Sequence, residues 1–238
     1  MFIKNKRLQH DGFITGCVTG HVKGAENILW SDIAYDAARY PMADPALPLA
    51  PLPERLSGAV TSRKADFQAG RLAAYCALEA AGAACCRVGA SAQGIPLWPA
   101  GWRGSITHSA GRALAVAAPA GEVRVLGIDC EKKDLAAAGE IADVVLNPAE
   151  RAYLHQTGLD FLTGVLIAFS AKESLYKALW PDVQHFFDFS AAEICGLDSK
   201  TQRIDLRLCE TLSPDWQAGT RIMGTFCCEE NYIITLIS

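Results

Sequence analysis

The sequence lacks an excess of basic charge, a long apolar run and an apolar leader. Lys and Arg number 22 against 26 Asp and Glu, and the net charge of −4 gives no basic footprint for nucleic acid or an anionic membrane surface. No unbroken apolar run is long enough to span a bilayer, and residues 1–7 lack the apolar middle of a signal peptide. We therefore expect a cytoplasmic protein that acts away from membranes and nucleic acids.

The chain also lacks a disulfide framework and a zinc motif, although it contains nine cysteines. Their number is odd, no CxxC occurs, and Cys85-Cys86 and Cys227-Cys228 are adjacent pairs, which rarely bridge to each other. Most cysteines have apolar neighbours and are expected to be small core residues. This pattern favours a reducing compartment.

The composition is otherwise that of an ordinary globular protein, 50% hydrophobic and 20% charged, with 238 residues for one large domain or two small ones. Residues 1 to about 40 predict weak strands and a turn. Five prolines from Pro41 to Pro53, including the Asp44-Pro45 pair, predict an extended connector. Residues 94–104 predict a loop that contains Pro and Trp.

Helical spacing of apolar residues predicts two long helices. The first runs from Thr61 to Ala81, with Ser62 as a cap and Gly82 as the stop. The second runs from Leu162 to Leu179, and Trp180-Pro181 is expected to end it. Between them, residues 135–145 are predicted helical or irregular, and Asn147 is predicted to cap a short helix with Pro148 at its first position.

Several apolar runs predict strands. Residues 113–118 and 123–128 are separated by Pro, Ala and Gly, which predicts a hairpin that delivers an acidic pair at its far end. Near the carboxyl terminus, residues 204–208, 222–227 and 232–237 predict an antiparallel meander.

The acidic pair lies in the stretch Gly127-Ile128-Asp129-Cys130-Glu131. Alternation along a strand directs Asp129 and Glu131 to one face and Cys130 to the other. Two neighbouring carboxylates repel each other unless a cation lies between them, and oxygen ligands suit a hard ion such as Mg²⁺. The alternative is a strand that runs out into solvent with two charged residues at its end.

A second candidate group lies in the helix stretch from Phe169 to Leu179. Glu173 and Lys177 are four residues apart and share a helix face. They are either a routine surface ion pair or a functional pair, with Glu173 as a third metal ligand or general base and Lys177 as a phosphate contact.

Three more motifs have both a functional and a structural interpretation. Gly104-Ser105-Ile106-Thr107-His108 offers hydroxyls and a histidine to phosphate, or is a turn that enters a strand. Arg63 and Arg71 place cations near a helix start, where the macrodipole disfavours them unless an anion binds; otherwise they form a solvated basic face. Pro96-Leu97-Trp98-Pro99 is best interpreted as a loop packed by Trp98.

The five motifs together resemble the 4'-phosphopantetheinyl transferases of the long, two-lobed type, particularly the branch that activates enterobactin synthase and similar assembly lines. The resemblance depends on their order along the chain: Arg63 and Arg71, Pro96 to Pro99, Gly104 to His108, Gly127 to Glu131, and Lys172-Glu173-x₃-Lys177. The resemblance covers roughly Leu52 to Leu179. It implies an α+β fold of two similar α/β lobes related by a pseudo-twofold, with coenzyme A bound in the cleft between them. We expect the lobes at residues 1–119 and 120–238.

The resemblance also implies roles for individual residues. Mg²⁺ would be held by Asp129, Glu131 and Glu173, while Ser105 and His108 would contact the phosphates of the coenzyme. Arg63 and Arg71 are expected near its 3'-phosphate. Lys177 matches the lysine that contacts the transferring phosphate, and Lys172 matches the first lysine of the helix motif, which we also assign to the cofactor site.

The implied reaction moves phosphopantetheine from coenzyme A onto a serine of an apo acyl or peptidyl carrier protein, with release of adenosine 3',5'-bisphosphate. A two-lobed member is expected to be a monomer.

The sequence departs from the family pattern at two places. Gln93-Gly94-Ile95 occupies a place where relatives often have a basic residue, so one phosphate or adenine contact is missing or supplied elsewhere. Phe169 replaces a usual Trp. The alternatives are a member that binds coenzyme A or carrier without catalysis, and a Mg²⁺-dependent phosphohydrolase.

Overall fold

The structure, a computed structural model, describes residues 1–8, 12–43 and 47–238. The predicted mixture of helices and sheets is confirmed. The chain divides into two compact units: the first comprises Phe2–Leu126, and the second comprises Gly127–Ser238 together with Met1. No helix in these described ranges combines the length and apolar character that crossing a membrane requires.

The first unit is a five-stranded antiparallel sheet covered by one long helix. Its elements are β1 (Phe2–Leu8), β2 (Ile14–Val22), β3 (Ala25–Tyr35), α1 (Thr61–Ala80), the short strands β4 (Gly89–Ala90) and β5 (Pro96–Leu97), β6 (Trp102–Ser109) and β7 (Arg112–Pro119). The sheet order is β1-β2-β3-β7-β6, and β4 pairs with β5. Alanines on the buried side of α1 let the helix pack closely on β3 and β7, around a core that includes Phe13, Ile33 and Leu78.

The second unit has a similar plan. Its elements are β8 (Gly127–Lys132), α2 (Leu135–Val145), α3 (Pro148–Leu154), α4 (Phe161–Val183), β9 (Ala192–Asp198), β10 (Arg203–Leu208), β11 (Arg221–Cys228) and β12 (Tyr232–Ile237). The strands form an antiparallel sheet in the order β8-β12-β11-β10-β9. The long helix α4 packs on β8 and β12, so the first and last strands of the unit lie together under it.

Most of the local signals in the sequence are confirmed. Gly82 ends α1 with a φ of +76°, and Asn147 and Glu150 form a capping box on α3 with Pro148 at its first position. Residues 135–145 are helical as α2, and the carboxyl-terminal meander is present as β10, β11 and β12. Strand β9 was not predicted.

The predicted hairpin of residues 113–118 and 123–128 is wrong. Strand β7 pairs with β3 and β6, whereas β8 begins only at Gly127 and pairs with β12 in the other sheet. The turn at Pro119 therefore leads from one sheet into the next. Pairing partners so distant in sequence leave no local signal in the residues between the strands.

The predicted effects of two prolines are also wrong, as is one predicted cap. Pro41 lies in a short 3₁₀ helix, Ala37–Met42, and Pro181 lies within α4, which ends at a left-handed Gln184. A proline so near the helix end removes only one backbone hydrogen bond, which packing can offset. Helix α1 begins at Thr61 after Val60, so Ser62 lies inside the helix and does not cap it. The Asp44-Pro45 pair lies outside the described residues.

All nine cysteines are free thiols. Cys17 and Cys130 are buried, and the Cys17 and Cys76 sulfurs lie 3.9 Å apart. Three thiols are exposed, at Cys85, Cys209 and Cys228, so the expectation that most cysteines are core residues holds for only part of the set.

Candidate active site

The acidic strand β8 lies directly against helix α4 because residue 127 is a glycine. A Cβ atom at Gly127 would lie 2.0 Å from the carbonyl oxygen of Ser174 and 2.7 Å from the amide nitrogen of Ala178. No side chain fits at such distances, so only glycine allows the helix backbone to approach the strand this closely. The residues that follow Gly127 are therefore held beside α4.

The register of the sheet turns Asp129 toward this helix. Asp129 lies opposite Thr235 of β12, and directly opposed residues of an antiparallel pair share a face. The Thr235 hydroxyl lies 2.9 Å from the Ser170 Oγ and 2.7 Å from the Ser174 Oγ, both on α4. Polar side chains thus line the contact between α4 and the two strands beneath it.

Lys177 forms an ion pair with the acidic strand. Its ammonium donates a hydrogen bond to the Asp129 Oδ1 at 2.6 Å, and Asp129 is only 2% exposed. Charged groups are rarely buried unless they are paired. The ion pair therefore compensates for the burial of Asp129.

Glu131 and Glu173 belong to the same charged cluster. Burial raises the pKa of Glu131 to about 7, with further upward contributions from the negative charges of Asp129 and Glu173 and an opposing one from Lys177. Burial and Asp129 likewise raise the pKa of Glu173, again against Lys177. Three carboxyl groups and one ammonium group thus influence one another. One lysine charge does not balance three carboxylates, so the cluster favours either protonation or a bound cation.

The donor chemistry of this cluster fits a hard divalent cation. Every donor is a carboxylate oxygen, as Mg²⁺ prefers, and the raised carboxyl pKa values are what a bound cation would reverse. Within the described ranges, however, no three His, Cys, Asp or Glu side chains already form a metal-binding arrangement. Asp129, Glu131 and Glu173 are the residues that would hold the ion.

Lys172 has a different environment. It is 4% exposed, and its ammonium donates to the carbonyl oxygens of Val145 at 2.8 Å and Phe189 at 3.0 Å. The same ammonium lies 2.8 Å from the Glu150 Oε1. Burial lowers the pKa of Lys172, and the charge of Glu150 opposes that shift.

Glu150 in turn accepts hydrogen bonds from the backbone amides of Asn147 and Ile194. Lys172 therefore joins the end of α2, the start of α3 and the approach to β9. Its predicted contact with the cofactor stays a prediction.

The first unit contains a second candidate group, at a basic pocket of about 180 Å³. Arg63 and Arg71, eight residues apart on α1, line it together with His108 of β6. The helix comes close to the strand here: a Cβ at Gly70 would lie 3.0 Å from the Ile106 Cγ2. Three of the four predicted phosphate contacts in this unit thus line one pocket.

Arg71 is the most constrained cation of this basic pocket. It is 7% exposed, its Nε is buried without a hydrogen-bond partner, and its guanidinium lies over the Phe67 ring at 4.9 Å. Burial lowers the pKa of Arg71 to about 10, and the charge of Arg55 adds to that effect. A buried cation with an unmet donor is suited to bind an anion.

Ser105 does not line the basic pocket. Side chains alternate along β6, so Gly104, Ile106 and His108 share one face, while Ser105 lies on the other and is 4% exposed. Its predicted phosphate contact stays a prediction.

Trp98 packs on the basic-pocket side of β6. A Cβ at Gly104 would lie 2.3–2.5 Å from three ring carbons of Trp98, so the glycine allows the indole to lie on the strand. The contact confirms that Trp98 packs this stretch. The stretch is not wholly a loop, however, because Pro96–Leu97 form β5, and β6 already begins at Trp102 within the predicted loop of residues 94–104.

Arg55 is a residue of the basic pocket that sequence reasoning missed. It lies in a 3₁₀ helix, Glu54–Leu56, that follows the proline-rich stretch. A single Arg after prolines has no periodicity or spacing that would distinguish it from a surface charge.

Two family models match the chain, one in each compact unit. The model of the 4'-phosphopantetheinyl transferase N-terminal domain matches residues 52–118, and that of the 4'-phosphopantetheinyl transferase superfamily matches residues 125–237.

Individual proteins match over most of their length. Enterobactin synthase component D of Salmonella typhi is 36% identical over 187 residues, which cover 78% of this chain and 76% of that protein. The protein of the same name from Escherichia coli (strain K12) is 36% identical over 73% of this chain and 81% of its own. The 4'-phosphopantetheinyl transferase PptT of Mycobacterium tuberculosis is 36% identical over 70% of this chain and 72% of its own.

Proposed function

Because the chain belongs to the 4'-phosphopantetheinyl transferase superfamily, we propose that it moves 4'-phosphopantetheine from coenzyme A onto a serine of an apo acyl or peptidyl carrier protein. The observation that supports this most is the cluster of Asp129, Glu131, Glu173 and Lys177 between β8 and α4. Attack of the serine oxygen on the phosphorus next to pantetheine breaks the pyrophosphate bond. The leaving group is adenosine 3',5'-bisphosphate.

Mg²⁺ is the proposed metal, held by Asp129, Glu131 and Glu173. When bound, it would neutralise negative charge on the pyrophosphate. The carboxylate-only donor set and the raised pKa values of Glu131 and Glu173 support this assignment.

The side chains of α4 supply the remaining chemistry. Glu173 is the proposed general base, a carboxylate that takes up the serine proton. Lys177, already paired with Asp129, adds a positive charge toward the leaving phosphate. Glu173 and Lys177 lie on one face of α4, so the helix fixes the position of the proposed base relative to the positive charge.

The proposed anchor of coenzyme A is the basic pocket of the first unit. Arg63, Arg71 and His108 are its proposed phosphate contacts, and the unmet donor of Arg71 supports an anion there. We propose that the two compact units are the two lobes, which were predicted at residues 1–119 and 120–238; the units divide slightly later, between Leu126 and Gly127. One has the basic pocket and the other has the acidic cluster.

The proposed protein partner is a carrier domain of a siderophore or related assembly line, because several relatives are named enterobactin synthase component D. The proposed compartment is the cytoplasm, which the nine free thiols support.

The test is to incubate the purified protein with coenzyme A, Mg²⁺ and an apo carrier protein and to weigh the carrier. We expect the mass of one phosphopantetheine to be added at a serine, and Glu173→Gln to lose most of the turnover. No added mass with several carriers would favour a non-catalytic binder. Phosphate release from coenzyme A without any carrier would indicate a phosphohydrolase instead.

A second outcome bears on Glu173 alone. If Glu173→Gln kept turnover within a few-fold of the parent protein, Glu173 would not be the base, although the transfer reaction itself would stand.

A further inference from the structure

Arg55 occupies an unusual position in the basic pocket. Its side chain lies on Gly94, where a Cβ would be 2.1 Å from the Arg55 Nη2 and 2.5 Å from the Cζ. Gly94 has a φ of +91°, which L-residues with side chains rarely adopt. The glycine therefore provides both the backbone turn and the space in which the guanidinium lies.

The position of Arg55 coincides with a gap in the charge pattern of the sequence. The segment Gln93-Gly94-Ile95, which precedes the Pro-Leu-Trp-Pro stretch, has no cation of its own. Arg55 comes from a segment some forty residues earlier, yet its guanidinium lies on the middle residue of this segment. A positive charge therefore lies beside segment 93–95, although none of its own residues supplies one.

The charges around Arg55 point to an anionic ligand. Arg55 and Arg71 line the same pocket and repel each other. The acid that lines this pocket, Asp66, accepts a hydrogen bond from the Tyr35 hydroxyl at 2.7 Å. Neither Arg55 nor Arg71 forms an ion pair with a carboxylate in the part of the chain that the structure describes. Gathered arginines without a counter-ion are costly in free energy unless an anion joins them.

We propose that Arg55 is a specificity-determining contact for the 3'-phosphate of coenzyme A, acting from the basic pocket that it shares with Arg63 and Arg71. This inference rests on the proposed function. A guanidinium offers paired donors to phosphate oxygens, and three such groups around one pocket suit a dianionic monoester. Coenzyme A has this phosphate and 3'-dephospho-coenzyme A does not, so Arg55 distinguishes the two.

The test compares Arg55→Gln with the parent protein, using coenzyme A and 3'-dephospho-coenzyme A as alternative donors. Loss of one charge-assisted contact should raise the KM for coenzyme A about tenfold. The KM for the dephospho form should change by less than about twofold, and kcat should be retained, because the contact is made equally in the ground and transition states. Arg55→Lys should recover part of the preference, since it keeps the charge but loses the planar fork.

Arg39→Gln is the matched control. It also removes one exposed arginine charge from the first unit, but Arg39 pairs with Asp36 and does not line the basic pocket. Its KM for both donors should equal that of the parent. Because Arg55 is exposed and its charge repels Arg71, Arg55→Gln should unfold at a temperature equal to or slightly above that of the parent.

Two results would overturn the inference. One is an unchanged KM for coenzyme A in Arg55→Gln; the other is an equal rise for both donors, which would mean that Arg55 acts without regard to the 3'-phosphate. Failure of the proposed function is separate, because there the parent protein itself would load no carrier with either donor.

Discussion

Lys172 and Lys177 lie five residues apart on α4, yet their surroundings differ. Lys177 meets the acidic cluster through Asp129, whereas Lys172 is enclosed by Glu150 and two backbone carbonyls. The pattern Lys-Glu-x₃-Lys cannot show this difference, because both lysines fit the motif equally well. Which cation reaches which acid depends on the elements packed around the helix.

This difference gives a prediction for Lys172. Lys172→Met leaves Glu150 buried without its cation, which should lower the free energy of unfolding by about 3–5 kcal/mol. The double variant Lys172→Met with Glu150→Gln should recover part of that loss, since glutamine can still serve the capping box. Urea denaturation measures both. Unchanged stability with a raised KM for coenzyme A would instead identify Lys172 as a direct cofactor contact.

The acidic cluster yields a second prediction at the same scale. Burial and neighbouring acids disfavour the charge on Glu131. When no metal is present, Glu131→Gln should therefore unfold at a temperature equal to or above that of the parent. The same change removes a proposed Mg²⁺ ligand, so the rise in Tm that Mg²⁺ gives the parent should be lost. Differential scanning fluorimetry with and without MgCl₂ tests this. A full Mg²⁺ response in Glu131→Gln would remove Glu131 from the ligand set.

At the scale of elements, the contact of β8 with α4 depends on Gly127. Gly127→Ala places a methyl group against the Ser174 carbonyl and should destabilise the protein by about 1–3 kcal/mol. It should also slow carrier loading, because it separates Asp129 from Lys177. Gly139→Ala is the control: its Cβ would meet only a Leu162 methyl at 3.9 Å, and alanine in a helix should add roughly 0.5–1 kcal/mol. Equal effects of the two substitutions on chemical denaturation would contradict this account.

The start of α4 gives a pH-dependent prediction. Asp160 accepts hydrogen bonds from the backbone amide and hydroxyl of Thr163, and these hold the pKa of Asp160 below its ordinary value of 3.8. Because the pKa of Asp160 is lower in the folded protein, its ionised side chain stabilises the fold at pH values above the ordinary pKa. This contribution disappears as the pH falls through the pKa of the folded state. Asp160→Ala should therefore lower Tm at pH 7 and have progressively less effect in acid.

Asp160→Asn serves as the control for that measurement, since asparagine caps a helix but does not titrate. Its Tm relative to Asp160→Ala should be nearly independent of pH. If the difference in Tm between the parent and Asp160→Ala grew as the pH fell, the predicted direction of the pH dependence would be wrong.

The sequence predicted those elements whose signals are local. The cap at Asn147, the stop at Gly82 and the apolar stripe of α4 were all recognisable within a few residues. The pairing of β8 was not, because its partner β12 lies about a hundred residues later. Pro181 misled for a related reason: packing of the helix end outweighs the local preference of proline.

The site was predictable to a similar extent. Alternation along β8 predicted that Asp129 and Glu131 share a face, and the spacing of α4 predicted the same for Glu173 and Lys177. Only the family resemblance implied that the two pairs come together. Arg55 was not predictable, because its place in the basic pocket is set by a glycine that a distant turn presents to it.

At the scale of the whole molecule, each unit contains its own sheet, its own long helix and its own charged cluster. The predicted monomer has a mass of 25.5 kDa. Sedimentation equilibrium at micromolar concentrations should give that mass with and without coenzyme A. A mass of twice that value would contradict the expectation of a monomer.

The exposed thiols have a practical consequence for studying this chain. Cys85 belongs to the first unit, and Cys209 and Cys228 belong to the second. Replacing Cys209 by serine leaves one readily labelled sulfur in each unit, which a maleimide donor and acceptor dye can occupy. Resonance energy transfer between the two fluorophores would then follow the separation of the units in real time as coenzyme A and a carrier protein are added.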